Sequence, residues 1–199
     1  MLTRKGEQMR SRIVAGAADE IRERGVDEVR LEDVMARTGT SKGQLFHYFP
    51  DGKEQLLLAV AQHEADRVLD DQQPMLGDLT SWEAWERWRL RVVERYREQG
   101  QDCPMSIVIG HTGRRSAGAQ SVVEGLMTRW QAALADGIRH MQASGEMSGA
   151  MDADRAAAGL LAGVQGGVLL LLSSGRTEHL ESALDLAFIG LRGSATDPR

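Results

Sequence analysis

Leu31-Glu-Asp-Val-Met-Ala-Arg-Thr-Gly-Thr-Ser-Lys-Gly-Gln-Leu-Phe-His-Tyr-Phe-Pro-Asp-Gly-Lys53 is the stretch of this 199-residue chain that decides its fold. Leu31, Val34 and Met35 are apolar and lie three and four residues apart, a spacing that predicts a short helix with one packed face. Gly39 predicts the end of that helix, because glycine adopts left-handed backbone at little cost. The stretch therefore begins as a short helix that stops in a tight turn.

A second short helix is predicted after the turn. Ser41 and Gln44 have the spacing of a capping box, in which each side chain accepts a hydrogen bond from the other residue's backbone N–H. Leu45 and Phe49 repeat at helical spacing, and the Pro-Asp-Gly that follows them ends the run. Two short helices joined by a glycine turn are the arrangement that presents one helix to the DNA major groove.

The outer face of the second helix carries polar side chains suited to nucleic acid. Lys42 can reach phosphate or guanine acceptors, Gln44 can pair with an adenine edge, and His47 can hydrogen-bond phosphate. Gly43 lets the backbone approach closely. The alternative is a helical hairpin with a solvated polar face, and Gln44 can instead spend its amide on the cap.

From about residue 10 to residue 58 the chain resembles the tetracycline-repressor (TetR) family of bacterial transcription regulators. The resemblance lies in residues 12–25, 31–39 and 41–49, followed by Lys53-Glu-Gln-Leu56. It implies an all-α fold: a three-helix DNA-binding head with a helix-turn-helix, and a larger helical body for ligand binding and dimerisation. We place the head at residues 1–53 and the body at residues 54–199.

The resemblance implies that residues of the second short helix face bases, while Tyr48 and Lys53 face phosphate. Arg4 and Lys5 form a short basic arm that can reach DNA, for which a disordered start with incidental charge is the alternative. The residues predicted to contact DNA are Arg4, Lys5, Arg30, Thr40, Ser41, Lys42, Gly43, Gln44, His47, Tyr48 and Lys53.

Some positions depart from the family pattern. Phe46 stands where a phosphate-binding Tyr is usual, so that hydroxyl contact is lost. Leu31 stands where a Thr or Ser often caps the helix, and Arg30 before it can substitute as a cation. The Phe-Pro-x-Gly-Lys form of residues 49–53, with Asp102-Cys-Pro-Met105, resembles multidrug- and antibiotic-responsive repressors related to lincomycin-resistance regulators.

Charge is distributed unevenly along the chain. Residues 1–53 hold 10 Lys and Arg against 9 Asp and Glu, and the remainder holds 14 against 20. All three lysines lie in the first 53 residues. The net charge of −5 argues against a nucleic-acid coat protein, whereas the asymmetry fits a DNA-facing head on an acidic body.

Compartment is indicated by cysteine usage and by the apolar segments. The single cysteine, Cys103, permits no intramolecular disulfide and points to a reducing compartment, so we expect a cytoplasmic protein. We interpret Cys103 as a small buried residue, with a redox sensor as the alternative. The apolar run at residues 156–172 is shorter than the ~20 residues that a membrane span needs, which favours a buried interface helix.

The predicted body contains aromatic, Met and polar side chains that suit a drug-sized pocket, which is mostly apolar with a few polar anchors. Three tryptophans three residues apart wind around one helix, and methionines tolerate varied ligands. Plain core packing is the alternative for each of these residues. Those predicted to bind ligand are Trp82, Trp85, Trp88, Arg89, Tyr96, Met105, His111, Met127, Trp130, Gln131 and Gln165.

Two apolar helices towards the C-terminus predict a homodimer. The run at 156–172 would be costly to expose, its glycines permit close helix approach, and the next helix carries its own apolar stripe. Two such helices from each subunit would form a four-helix, two-fold interface, which the resemblance favours over burial within one chain. The predicted interface residues are Gly159, Gly163, Gly166, Leu170, Leu180, Leu184 and Phe188.

These patterns together predict a sequence-specific repressor that a small, largely apolar or aromatic ligand releases from a palindromic operator. The alternative is an activator or a regulator without a small-molecule switch. We expect no enzyme, metal or cofactor, because the chain lacks His-Glu-x-x-His, Cys-x-x-Cys, Gly-x-Ser-x-Gly and phosphate-loop motifs. The expected partners are double-stranded operator DNA, a second copy of the chain and a small-molecule effector, without a membrane.

Overall fold

The structure, a computed structural model, describes residues 3–99 and 117–193. Within these ranges the chain forms eight α-helices and a short 3₁₀ helix, and no strand, which confirms the all-α prediction. The helices are α1 (Arg4–Arg24), α2 (Leu31–Thr38), α3 (Lys42–Tyr48), α4 (Lys53–Asp70), α5 (Trp82–Gln99), α6 (Ala117–Ala143), α7 (Ala153–Ser174) and α8 (Glu178–Gly193), with the 3₁₀ helix at Met75–Gly77.

The helices group into two compact units. Among the described residues, the first comprises 3–67 and 117–124, and the second comprises 68–99 and 125–193. The first unit contains the helix-turn-helix and continues through most of α4, whereas the head boundary predicted from the sequence lies where α4 begins. We refer below to residues 3–67 as the head and to the second unit as the body.

In the head, α1 and α2 pack closely because one position between them lacks a side chain. A Cβ added at Gly16 would lie 2.3 Å from Cγ2 of Thr38, so a larger residue would force the two helices apart. Ile13 and Ile21 of α1 and Val34 of α2 have no exposed surface and belong to the core of the head. Of the three apolar residues whose spacing predicts the packed face of α2, Val34 is buried, and Leu31 and Met35 are half-buried.

In the body, α7 and α8 make a similar close contact. A Cβ at Gly167 would lie 2.4 Å from Cα of Leu180, so the backbones touch at this point. Leu180, Leu184 and Phe188 are buried within the chain, although they were predicted to face a partner subunit. The reason is that the strongest apolar stripe of α8 is the one that the chain itself covers.

The other faces of α7 and α8 are apolar and exposed. Leu186 and Ile189 of α8 are 69% and 66% exposed, and Leu169 and Leu170 of α7 are 65% and 46% exposed. Four large apolar side chains on two packed helices are more than the scattered singles of an ordinary surface. Of the residues predicted for the dimer, Gly159, Gly166 and Leu170 are exposed and Gly163 is half-buried.

By length and composition alone, α7 could cross a membrane. It has 22 residues, more than the apolar run in the sequence suggested, and its most apolar window has a mean hydropathy of 1.8, with 39% of that window buried. A single such helix is a weak indication, because core helices of soluble proteins pass the same test. Its contact with α8 through Gly167 is the packing of a core helix.

Candidate DNA-binding surface

The turn between α2 and α3 forms as the sequence predicts. Gly39 ends α2 in left-handed conformation, with φ 62° and ψ 32°. Oγ of Ser41 accepts a hydrogen bond from the backbone N–H of Gln44 at 3.2 Å, and Oε1 of Gln44 accepts one from the backbone N–H of Ser41 at 3.0 Å. The capping box therefore occupies the carbonyl oxygen of Gln44, which leaves its NH₂ group as the donor it can offer to a base.

One side of α3 is buried and the other is exposed. Leu45, and Phe49 directly after the helix, have no exposed surface. Tyr48 is half-buried, and its ring meets that of His47 edge-on with 4.9 Å between centroids. The exposed residues predicted to contact DNA on or next to α3 are Ser41, Lys42, Gly43, Gln44 and His47.

Thr40 occupies a different position from the other predicted residues. Its side chain is buried, and its hydroxyl oxygen lies 2.8 Å from that of Thr38. The Thr38 hydroxyl donates to the carbonyl oxygen of Val34 at 2.7 Å. Thr40 therefore stabilises the inside of the turn, and its side chain does not belong to the exposed surface.

Arg4 and Lys5 lie in the first turn of α1, and they do not form the separate basic arm that the sequence suggested. Oγ1 of Thr3 accepts a hydrogen bond from the backbone N–H of Gly6 at 3.2 Å, which caps the helix and starts it at Arg4. Cations in a first turn do not stabilise a helix, because its N-terminus is already partially positive. In this place they instead add to the attraction for a bound anion.

One group of arginines in the head is neutralised by a buried carboxylate. Glu20 is only 3% exposed, and its oxygens lie 2.6 Å from Nε of Arg37 and 3.2 Å from Nε of Arg24. Hydrogen bonds to Glu20 and Glu23 raise the pKa of Arg37 above its ordinary value. The hydrogen bonds that Arg37 of α2 donates to Glu20 and Glu23 are charge-assisted and join α2 to α1, whereas the ion pair of Arg24 with Glu20 lies within α1.

A second buried carboxylate, that of Glu64 on α4, acts in the same way. Its Oε1 lies 3.4 Å from both Arg22 and Arg67. Arg22 also pairs with Asp19 at 2.7 Å. The arginines paired with Glu20 and Glu64 therefore contribute to the fold of the head and carry little uncompensated charge. They are Arg22, Arg24, Arg37 and Arg67.

A second group of cations has no ion pair within the ranges that the structure describes. Arg10 and Arg12 belong to this group, although they are not among the residues predicted from the sequence to contact DNA. The guanidinium carbon of Arg10 lies 5.2 Å from the ring centroid of Phe49, and Arg12 reaches within 3.6 Å of the Cβ position of Gly39. The members of this group, called the unpaired cations below, are Arg4, Lys5, Arg10, Arg12, Arg30, Lys42 and Lys53.

A simple charge count along α1 would have found Arg10 and Arg12. The first 18 residues contain four cations and a single carboxylate, that of Glu7. The contacts with Phe49 and Gly39 bring these two arginines beside α3 and the turn before it. The arrangement can bind a polyanion along α3.

In the body, three residues predicted to bind ligand share an unusual feature. Nε1 of Trp85, Nε1 of Trp130 and Nε2 of Gln165 are buried and have no hydrogen-bond partner among the residues described. In contrast, Nε1 of Trp88 donates to Oε1 of Gln72 at 2.8 Å. Buried N–H groups without partners are rare, so three of them call for an explanation.

The other predicted ligand residues within the described ranges differ in burial and in their partners. Arg89 lies in surface ion pairs with Glu86 and Asp185, each at 2.7–2.8 Å, and Gln131 donates to the carbonyl oxygen of Asp154 at 3.3 Å. The side chain of Tyr96 is buried, and those of Trp82 and Met127 are half-buried. Cys103, Met105 and His111 lie outside the described residues.

No three His, Cys, Asp or Glu side chains lie together so as to hold a metal ion in residues 3–99 and 117–193.

Comparisons with known proteins match both parts of the chain. The family described as "Bacterial regulatory proteins, tetR family" matches residues 13–60, and "Tetracyclin repressor-like, C-terminal domain" matches residues 82–187. An uncharacterized HTH-type transcriptional regulator of Mycobacterium tuberculosis (strain ATCC 25618 / H37Rv) is 29% identical over 145 residues, which cover 65% of this chain and 71% of the relative.

Solved structures share the fold. A TetR transcriptional regulator from Chloroflexus aurantiacus J-10-FL is 25% identical, with a TM-score of 0.71 over 96% of this chain and 98% of the other. A TetR transcription regulator from Haloarcula marismortui ATCC 43049 is 16% identical, with a TM-score of 0.78 over 94% and 98% of the two chains.

The ion pairs of Glu20 give a prediction about stability. We expect Glu20→Gln to lower the free energy of unfolding by about 1–3 kcal/mol, because Arg24 and Arg37 lose their buried charged partner. Urea denaturation followed by circular dichroism measures this change. Glu28→Gln is the matched control, since Glu28 is exposed and should change stability by less than about 0.5 kcal/mol. Equal effects of the two substitutions would contradict the role given to Glu20.

Proposed function

Because the chain belongs to the tetR family of bacterial regulatory proteins, we propose that it is a homodimeric repressor that a small molecule releases from its operator. As a member of the family it is a DNA-binding transcriptional regulator. The family and the Mycobacterium tuberculosis relative are regulators, which is the basis for assigning no catalytic role. The relation to lincomycin-resistance regulators stays a prediction.

One observation carries the DNA-binding part of the proposal: the separation of the head's cations into two groups. Arg24 and Arg37 are held by Glu20, whereas the unpaired cations include Lys42 on α3 and Arg12 beside the turn. Contacts to phosphate release counterions, so each should contribute about 0.9 to the slope of log affinity against log salt concentration. Specific affinity on the order of 10⁻⁸–10⁻¹¹ M is expected.

In this proposal, α3 enters the major groove and its exposed side chains contact bases. Lys42 and His47 are exposed on α3, and Gln44 offers its NH₂ group. Tyr48 and Lys53, both half-buried, and the arginines of α1 contact phosphate. A two-fold dimer reads two half-sites, which makes the operator a palindrome.

The ligand is proposed to bind in the body, where the unpartnered N–H groups lie. Trp85, Trp130 and Gln165 each present a donor without a partner among the described residues, so a ligand that carries hydrogen-bond acceptors would satisfy them. The indole rings supply apolar surface at the same places. We therefore infer a flat, largely apolar effector with at least two acceptor atoms. It would act only by binding the state with lower DNA affinity more tightly.

The homodimer is proposed to form through the exposed apolar faces of α7 and α8. Leu186 and Ile189 on α8 and Leu169 on α7 provide the large side chains. Nothing lies within 4 Å of a Cβ added at Gly159 or Gly166, so a partner helix has room to approach there. We place the protein in the bacterial cytoplasm, where its operator DNA lies.

The first test is a gel shift with the DNA upstream of the protein's own gene, at about 150 mM salt. A discrete complex that resists non-specific competitor DNA would support a sequence-specific, autoregulating repressor. A ligand screen by melting temperature then tests the switch, because a molecule that binds the folded state raises stability by mass action. Ligands that raise the melting temperature without releasing DNA would contradict release as the mechanism.

The recognition surface gives a prediction about affinity. We expect Lys42→Ala to weaken operator binding about tenfold or more, because it removes a charged contact to phosphate or guanine. Fluorescence anisotropy with labelled operator measures the dissociation constant. Arg87→Ala is the control, since it removes the same charge from α5, where Arg87 pairs with Glu83 at 2.8 Å. Wild-type affinity in the Lys42 variant would exclude this residue from the DNA contact.

The buried tryptophans give a second prediction. Trp85→Phe and Trp88→Phe remove the same atoms, but only Trp88 loses a hydrogen bond, the one to Gln72. We expect Trp88→Phe to lower the melting temperature more, by the equivalent of about 1 kcal/mol. For an effector found in the screen, Trp85→Phe and Trp130→Phe should weaken binding about five- to tenfold. Unchanged effector affinity in both variants would contradict the proposed anchors.

The dimer gives a third prediction. Leu186→Glu places a charge in the proposed interface, and we expect it to shift the protein to monomers in sedimentation-velocity experiments. Leu90→Glu is the matched control, because Leu90 is also exposed, on α5. It should leave the dimer intact. If Leu186→Glu remains dimeric, another surface holds the subunits together.

A further inference from the structure

Phe46 is an exposed apolar side chain on α3. It is 38% exposed, whereas Leu45 and Phe49 on either side of it in the fold have no exposed surface. The exposed residues around it are polar or glycine. A single exposed apolar residue is ordinary on most surfaces. Any specific role of Phe46 must therefore be argued from its position on α3.

The ring of Phe46 lies beside the turn between α3 and α4. Its Cε1 lies 3.6 Å from the Cβ position of Gly52, which has a φ of +68°. At Gly43, three residues earlier on the helix, nothing lies within 4 Å of an added Cβ. One edge of the ring therefore lies beside the turn, while the helix surface at Gly43 is open.

The surroundings of Phe46 are suited to DNA, although the phenyl ring itself cannot hydrogen-bond phosphate or base edges. Lys42 lies one helical turn before it, and Lys53 lies at the start of α4; both belong to the unpaired cations. In the major groove, the group that an apolar side chain recognises is the C5-methyl of thymine. In the proposed complex, a phenyl ring exposed on α3, with Lys42 one turn before it in the helix and Lys53 after it in the chain, is placed for this contact.

We propose that Phe46 reads a thymine in the operator by direct contact with its C5-methyl group. The inference rests on the proposed function, in which α3 enters the major groove. It adds a specificity-determining residue to the polar side chains of that surface. A thymine at one position in each half-site is the expected consequence.

The test removes the methyl group from the DNA. A duplex selected by the wild-type protein from random-sequence DNA is resynthesised with each thymine replaced in turn by deoxyuridine, which keeps base pairing and lacks only the methyl. We expect one position per half-site at which wild-type affinity falls about fourfold, the value of one buried methyl group. Anisotropy titrations at fixed salt measure each duplex.

The protein variants link this loss to Phe46. Phe46→Ala should bind the thymine and deoxyuridine duplexes equally well, whereas Phe46→Leu keeps an apolar side chain and should retain most of the discrimination. Circular dichroism and the affinity for non-specific DNA verify that both variants fold and keep their phosphate contacts.

Two outcomes would overturn the inference. Deoxyuridine without effect at every position means that no methyl group is read. A deoxyuridine effect of equal size in Phe46→Ala means that another residue reads it. If the selection yields no preferred sequence, the failure belongs to the proposed DNA-binding function, and the inference falls with it.

Discussion

The ion pairs of Glu20 with Arg24 and Arg37 are the constraint on which the head depends. A carboxylate that is 3% exposed is stable only when it is paired and hydrogen-bonded, and here the cations that satisfy it come from α1 and α2. The same contacts divide the arginines of the head into two groups, because an arginine whose charge is paired with Glu20 has little free charge left for another anion. Of the cations without an ion pair among the described residues, Lys42 lies on α3, and Arg10 and Arg12 lie beside Phe49 and Gly39. The small net charge of residues 1–53 therefore conceals a strongly uneven distribution.

The main feature of the body is the long apolar helix α7, one face of which is buried and the other exposed. One face of α7 meets α8 backbone to backbone at Gly167 and Leu180, while Leu169 on the other side remains exposed. Large apolar groups left outside a packed pair of helices require a partner or cost solubility. The buried N–H donors of Trp85 and Trp130 likewise lack a partner among the described residues. Among the residues described, the exposed apolar side chains and the buried donors without a partner are therefore the two features of the body that the proposed partner subunit and effector would account for.

The sequence predicted local structure well, because local structure follows short-range rules. Gly39 and the spacing of Ser41 with Gln44 determine where α2 ends and α3 begins. The sequence failed where a residue's neighbours are distant in the chain. The apolar stripe of Leu184 could not reveal whether its own chain or a partner covers it, and the interior hydrogen bond of Thr40 was equally hidden. A charge count along α1 marks Arg10 and Arg12 as an excess of cations, but their proximity to Phe49 and Gly39 exists only in the folded head.

The capping box at the start of α3 has a consequence for how operators can drift. A bidentate pair with adenine needs both the amide oxygen and the NH₂ group of Gln44. To form it, Gln44 would have to give up the hydrogen bond that its Oε1 accepts from the backbone N–H of Ser41. Losing a cap costs about 0.5–2 kcal/mol, and a bidentate pair gains about 1–3 kcal/mol, so the two nearly cancel. If Gln44 faces a base in the proposed complex, the base pair opposite it would then be under weak selection. Operators in different promoters could vary at that position with little loss of occupancy, which would broaden the set of DNA sequences that the regulator binds.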